Sequence, residues 1–210
     1  MSNIAIVDYG AGNTRSVLRA FEAAGAEKVV LADTPEKILD ADRIVLPGVG
    51  AGGAAMAGLR KRGLVQPLEE VVWQKRRPLL GICVGMQMMG DRIYEFGEHR
   101  GLGWIAGDVV NLGDLVVSDD IRIPHMGWDQ IVPRGDDPIL AADKKGSDFY
   151  FAHSFALRPT SKDHVVATVD YGSDICVAVR RDNVFGVQFH PEKSQLNGRR
   201  LITAFMQWAP

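Results

Sequence analysis

Apolar positions along the chain follow two rhythms, and the change between them divides it near residue 104. In the first part, short apolar runs alternate with helical patterns, which predicts a parallel sheet covered by helices. Residues 4–7 read as a strand that ends in the turn Asp8-Tyr9-Gly10-Ala11-Gly12-Asn13. Val17, Leu18, Phe21 and Ala24 then keep one helical face apolar, and Gly25 closes that helix. Residues 28–31, 43–46 and 78–83 are predicted strands. Leu64, Val65, Leu68, Val71 and Val72 form a further helical stripe, and residues 86–93 read as helical.

Beyond residue 104 the runs become β-type and are separated by turns: 108–112, 148–155, 165–169, 176–179 and 184–189. They are expected to be hairpins added to the same sheet. Residues 113–147, rich in Gly, Pro and Asp, are the least predictable stretch. A last helix over residues 194–208 places Leu201, Phe205 and Trp208 on one face. Neither a linker nor an internal repeat interrupts the 210 residues, so one domain over 1–210 is expected.

Composition narrows the function. With 46% hydrophobic and 24% charged residues the chain is an ordinary globular one. A net charge of −2 gives no overall positive field to attract nucleic acid or anionic lipid. None of the uncharged runs reaches the roughly 20 apolar residues that cross a bilayer. The first ten residues read as a strand rather than a targeting segment, so a cytoplasmic location is expected. Two cysteines, Cys83 and Cys176, are each read singly as reactive or buried thiols.

The most informative pattern is Gly81-Ile82-Cys83-Val84-Gly85, entered from an apolar strand and followed by a helical pattern. It has the form of a nucleophile elbow with sulfur in place of oxygen: an abrupt strand-to-helix turn strains the middle residue, and small neighbours allow the close approach. A helix N-terminus favours the anionic sulfur, which is the attacking species, and the Val84 N–H could face a developing oxyanion. A free cysteine is more commonly a buried small hydrophobe, and that alternative stands for Cys83 taken alone. The second pattern is Gln188-Phe189-His190-Pro191-Glu192-Lys193-Ser194, at the end of an apolar strand. Period two puts His190 and Glu192 on one face, where a base beside the sulfur and a carboxylate to orient it would make a triad; the alternative is a surface pair.

A glycine cluster, Pro47-Gly48-Val49-Gly50-Ala51-Gly52-Gly53, formally contains G-x-G-x-x-G at Gly48, Gly50 and Gly53. A dinucleotide fingerprint belongs after the first strand, with an acid about 20 residues on at the end of the next strand. Here it follows a later strand, and Glu69 and Glu70 fall in a helical pattern. A flexible loop lending N–H groups to an oxyanion hole, or a tight turn, fits better.

Together these motifs, with Pro124-His125-Met126-Gly127-Trp128 and Phe149-Tyr150-Phe151-Ala152-His153-Ser154, give a chain that resembles the class I, triad-type glutamine amidotransferases nearly end to end. Within that class it is similar to the glutaminase subunits of histidine biosynthesis. The resemblance implies a flavodoxin-like α/β fold, with a central mostly parallel sheet flanked by helices and added antiparallel strands. It implies that Cys83 attacks the glutamine side-chain amide to give a thioester and ammonia, with His190 as base and acid and Glu192 orienting it. Val49, Gly50 and Val84 would form the oxyanion hole. Gln87, Glu95, Ser154 and Phe155 would hold glutamine. Ammonia would pass to a (β/α)8 cyclase subunit of the HisF type in a heterodimer, which would make imidazole glycerol phosphate and aminoimidazole carboxamide ribonucleotide. Asn13, His125, Tyr150, His153 and Lys193 would lie on the partner-facing side. No cofactor and no metal is implied.

Three positions depart from the pattern: Gly52 where Phe is usual, Asp129 where Asn is usual and Phe155 where Tyr is usual. None belongs to the triad. They keep open a paralogue that supplies ammonia to a sugar-modifying amidotransferase in surface-polysaccharide synthesis. A stand-alone cysteine hydrolase and a non-enzymatic binding subunit are the other rivals. Elsewhere, Cys176 reads as core within an alternating strand, His99 and His164 as solvated, and Arg60-Lys61-Arg62 and Lys75-Arg76-Arg77 as solvated helix ends. His and Cys spacings do not suit a structural zinc site.

Overall fold

A computed structural model describes residues 2–117, 121–141 and 147–210. Its strands, in chain order, are β1 (Asn3–Val7), β2 (Lys28–Ala32), β3 (Arg43–Leu46), β4 (Leu79–Ile82), β5 (Arg92–Ile93), β6 (His99–Arg100), β7 (Gly107–Asn111), β8 (His125–Pro133), β9 (Asp148–His153), β10 (Phe155–Pro159), β11 (Val165–Asp170), β12 (Asp174–Arg181) and β13 (Val184–Val187). The helices are α1 (Thr14–Ala23), α2 (Pro35–Leu39), α3 (Gly52–Lys61), α4 (Val65–Glu69), α5 (Val84–Gln87) and α6 (Gln195–Gln207). The described strands form a sheet in the order β2-β1-β3-β4-β13-β12-β11-β8-β9 and a smaller one in the order β10-β7-β5-β6.

Five strands of the large sheet, β2 to β13 in that order, run parallel. The rest are antiparallel. β1 and β4 are buried along their whole length, as strands covered on both faces are. β4 and β13 lie side by side in register, Ile82 opposite Val187, so the segments leaving their carboxyl ends emerge at the same edge. At the carboxyl ends of neighbouring parallel strands an open α/β sheet collects its ligands.

The α/β architecture expected from the sequence holds, with local corrections. The added strands do not all join one sheet: β7 and β10 pair with each other in the small sheet. The predicted strand 148–155 breaks at Ser154 into β9 and β10. The helix expected over 86–93 lasts only to Gln87, because Arg92 and Ile93 leave to pair with His99 and Arg100. The least predictable stretch contains β8, whose first half pairs with β9 and second half with β11; residues 118–120 and 142–146 of it lie outside those described. α3 was hidden by its glycines. A Cβ on Gly53 would sit 2.5 Å from the His99 ring, so close packing rather than helix propensity set that residue. His99 is accordingly half-buried, with Nε2 3.1 Å from the Glu95 carbonyl, and is not the solvated residue expected.

Candidate functional site

Cys83 stands between β4 and α5 with φ 53° and ψ −109°, a backbone conformation that costs a non-glycine residue about 1–3 kcal/mol. Three contacts hold it there. Its N–H donates to the Val187 carbonyl at 2.7 Å, its carbonyl accepts from Gln87 at 3.1 Å, and Gly85 lets the turn press onto β3. A Cβ at Gly85 would meet the Leu46 carbonyl oxygen at 1.8 Å, so no other residue fits. The thiol lies at the wall of a cleft of about 460 Å³. Gln188, fully buried, donates from Nε2 to Cys83 Sγ at 3.5 Å and accepts the Gln87 amide on Oε1 at 3.1 Å.

His190 reaches the sulfur from the segment after β13, but not by strand period. β13 ends at Val187, and Pro191–Lys193 forms one turn of 3-10 helix. That turn folds Glu192 back under the ring, and Glu192 Oε1 accepts from His190 Nδ1 at 2.7 Å. The expectation of one strand face thus had the right pair and the wrong cause. Both side chains are almost wholly buried. Burial disfavours a charged imidazole, but the contacts with Cys83 and then Glu192 overcome it and hold the ring at about 9, against an ordinary 6.5. Ser194 locks the backbone: its hydroxyl donates to the His190 carbonyl at 2.6 Å and accepts the Tyr150 N–H at 3.0 Å. A buried anchor of this kind has no signal in the sequence beyond its place in the motif.

The remaining candidates divide. Val49, Gly50, Val84, Gln87, Glu95, Ser154 and Phe155 all line the cleft with Cys83 and His190. Gly50 takes φ 82°, a region glycine enters without penalty, in the loop between β3 and α3. The first N–H groups of α5, that of Val84 included, have no partner inside the helix. Gln87 commits its amide nitrogen to the Phe155 carbonyl at 2.9 Å and to Gln188, so Oε1 is the atom left for a ligand. Glu95 Oε2 accepts from the Gly52 N–H at 2.8 Å, at the start of α3. The carbonyls of Ser154 and Phe155 are engaged, by Leu112 and by Gln87 with His153, at 2.9 Å each.

The residues expected on the outward side need correcting. His125 is 2% and His153 6% exposed: their rings meet at 3.2 Å, with His125 stacked between Phe151 and Tyr171. Burial pushes His153 down to about 3 and lowers His125 too, so both rings are neutral at pH 7. Exposed apolar surface lining the cleft comes instead from Phe96 and Met126, at 90% and 65%. Tyr150 is half-buried and Lys193 exposed, and they contact each other, the ammonium 5.6 Å from the ring centre. The Asn13 side chain turns inward and donates to Glu192 Oε1. Tyr9, in the sequence no more than a member of the turn after β1, also belongs here: its hydroxyl is buried, donates to the Pro47 carbonyl at 2.9 Å and supports the glycine loop. Burial, with the Cys83 charge next, pushes its ionisation well above the ordinary range.

An arrangement of this kind can perform acyl transfer: a thiol, a base touching it, a carboxylate orienting the base, and N–H groups at a helix start. Residues 5–207 match the family model described as glutamine amidotransferase class-I. The chain is 46% identical over 213 residues to the "Imidazole glycerol phosphate synthase subunit HisH" of Zymomonas mobilis, covering 100% of this chain and 97% of that one. It is 46% identical over 217 residues to the protein of the same name from Brucella abortus, with 99% of each covered. Among solved structures it is similar to one described as a glutamine amidotransferase (TM-score 0.75, 20% identity, 97% of each chain) and to PurLQS from Thermotoga maritima (TM-score 0.72, 20% identity, 99% of each chain).

Proposed function

Because the chain belongs to the class-I glutamine amidotransferase family, we propose that its cleft hydrolyses glutamine through a cysteine thioester, with Cys83, His190 and Glu192 as the triad. It is a glutamine amidotransferase, the glutaminase subunit of an imidazole glycerol phosphate synthase, and it works with a partner subunit. One observation carries the reading of the site: Cys83 is held at φ 53° in contact with a ring that Glu192 anchors at 2.7 Å.

In the reaction, Cys83 sulfur attacks the δ-carbonyl carbon of glutamine, and the developing oxyanion is taken by N–H groups at Val84 and in the Val49-Gly50 loop. The C–N bond breaks as His190 gives its proton to the departing nitrogen, leaving ammonia and a γ-glutamyl thioester. Water, deprotonated by His190, then attacks the thioester; glutamate leaves and the thiol is restored. Gln87 Oε1 and Glu95 hold the substrate, together with the Ser154-Phe155 segment. The whole chain acts as one domain. Ammonia passes to a (β/α)8 cyclase subunit, which docks around the cleft mouth where Phe96, Met126 and Lys193 lie. The sugar-pathway alternative is not favoured, since the full-length relatives carry the histidine-pathway name.

The test is glutamate release by the purified chain with and without a histidine-pathway cyclase subunit and its ribonucleotide ligand. Strong stimulation is expected. An active cyclase that gives none would overturn the partner while leaving the cysteine chemistry standing.

A further inference from the structure

Asn13 closes the turn after β1 and occupies the position just before α1, where its carbonyl accepts from Ser16 at 2.9 Å and Val17 at 3.1 Å. Asn is favoured at such a place because its side chain can accept the next orphan N–H groups of the helix. Here it does not: the side chain makes no capping bond. It turns the other way, across 179 residues of sequence, and its Nδ2 donates to Oε1 of Glu192. The same oxygen accepts from His190 Nδ1. A favourable local bond has therefore been given up for a distant one to the orienting carboxylate.

The carboxylate needs that bond. Its side chain is 0% exposed and Oε2 finds no partner among the described residues, so the contacts at Oε1 are what hold its plane. A buried charge with a single donor is costly and free to turn about its last torsion. We propose that Asn13 is a positioning residue of the triad: by fixing Oε1 of Glu192 it fixes the tilt of His190 toward Cys83. It does not line the cleft and touches no reacting atom. The role rests on the triad assigned above.

The test uses the full chain with its partner subunit, following glutamate release and circular dichroism. Asn13→Ala and Asn13→Asp should each lower kcat about 10- to 50-fold, the loss of one hydrogen bond to a buried charge, with KM within about 3-fold of wild type. Asn13→Asp separates positioning from structure. Its carboxylate keeps the size of the amide but is repelled by Glu192, so turnover should fall while the circular dichroism spectrum stays that of wild type. In a Glu192→Gln background, Asn13→Ala should add no further loss, because its target charge is already gone. Wild-type kcat in Asn13→Asp, or losses that multiply in the double variant, would overturn the proposal. Full turnover in Glu192→Gln with none in Cys83→Ala would instead remove the role of Glu192, and that of Asn13 with it.

Discussion

The chain has two cysteines, each at the wall of a cavity, and they have opposite fates. Cys83 lies at the strand-to-helix junction beside the cleft of about 460 Å³; Cys176 lies inside β12, beside one of about 350 Å³. Cys83 is held in a strained backbone conformation with His190 in contact and an amide donor 3.5 Å from its sulfur. Cys176 sits in β12 where its pairing with β11 shifts register, its thiol 3.7 Å from the Ala178 carbonyl, and burial pushes it up to about 12. Cys83 is buried and Cys176 half-buried, so shielding from water does not by itself make a nucleophile. A base within reach does, together with a turn that costs folding energy to hold the sulfur where an acyl carbon can meet it.

The largest effect that would break this contrast is in turnover. Cys83→Ala should abolish glutamate release, by about 1,000-fold or more, with the circular dichroism spectrum unchanged, whereas Cys176→Ala should stay within about 2-fold of wild type. Turnover in the first variant, or its loss in the second, would reverse the assignment. Next in size is labelling: iodoacetamide at pH 7.5 should modify Cys83 about 100-fold faster than Cys176, read by peptide mass spectrometry. Equal labelling would mean that the strand and the elbow treat their thiols alike.

The pH response sharpens the comparison further, since one of the two thiols has a titrating partner. His190 is raised to about 9, so it keeps its proton through neutral pH and loses it above. Activity should fall on the alkaline side around pH 9. The stability this group contributes should be full below its unfolded value near 6.5 and fade as pH rises through about 9. His153 works oppositely: lowered to about 3, it stays neutral in the fold while the unfolded chain takes up a proton. Its share of stability is lost as pH falls from about 6.5 toward 3, and thermal melts across pH 4–10 would display both slopes. The smallest effect is packing: Cys176→Ala should cost about 1 kcal/mol in urea unfolding, the loss of one half-buried sulfur.

The elbow was legible because its chemistry and its backbone requirement sit in five consecutive residues, and the glycines at 81 and 85 report the close approach directly. His190 and Glu192 were legible as a pair because only Pro191 separates them. β8 was not legible: Gly127 at φ 140°, Pro133 and a change of partner halfway give it no continuous alternation. α3 failed for a similar reason, since Gly52 and Gly53 were selected by Ile93 and His99 packed against them. His125 and His153 were set on the outward side only by the resemblance, although His153 follows Phe149 and Phe151 on the buried period-two face of β9.

By itself the sequence determined the first four parallel strands, β1 to β4, and singled out the candidate residues Cys83, His190 and Glu192. β13, by contrast, was expected as a hairpin strand and instead joins β4 in parallel. Short apolar runs bounded by turns suit covered strands, and a cysteine flanked at two residues' distance by Gly81 and Gly85 at a strand end suits an elbow. Only the tertiary structure decided which donors reach those groups. Asn13 bonds Glu192 from the opposite end of the chain, Gln188 reaches the sulfur, and Ser194 pins the backbone of His190 to β9. Such contacts depend on where separate segments meet once the sheet has closed. A polar side chain carries no record of its distant partner, whereas an apolar one follows the period of its own strand or helix.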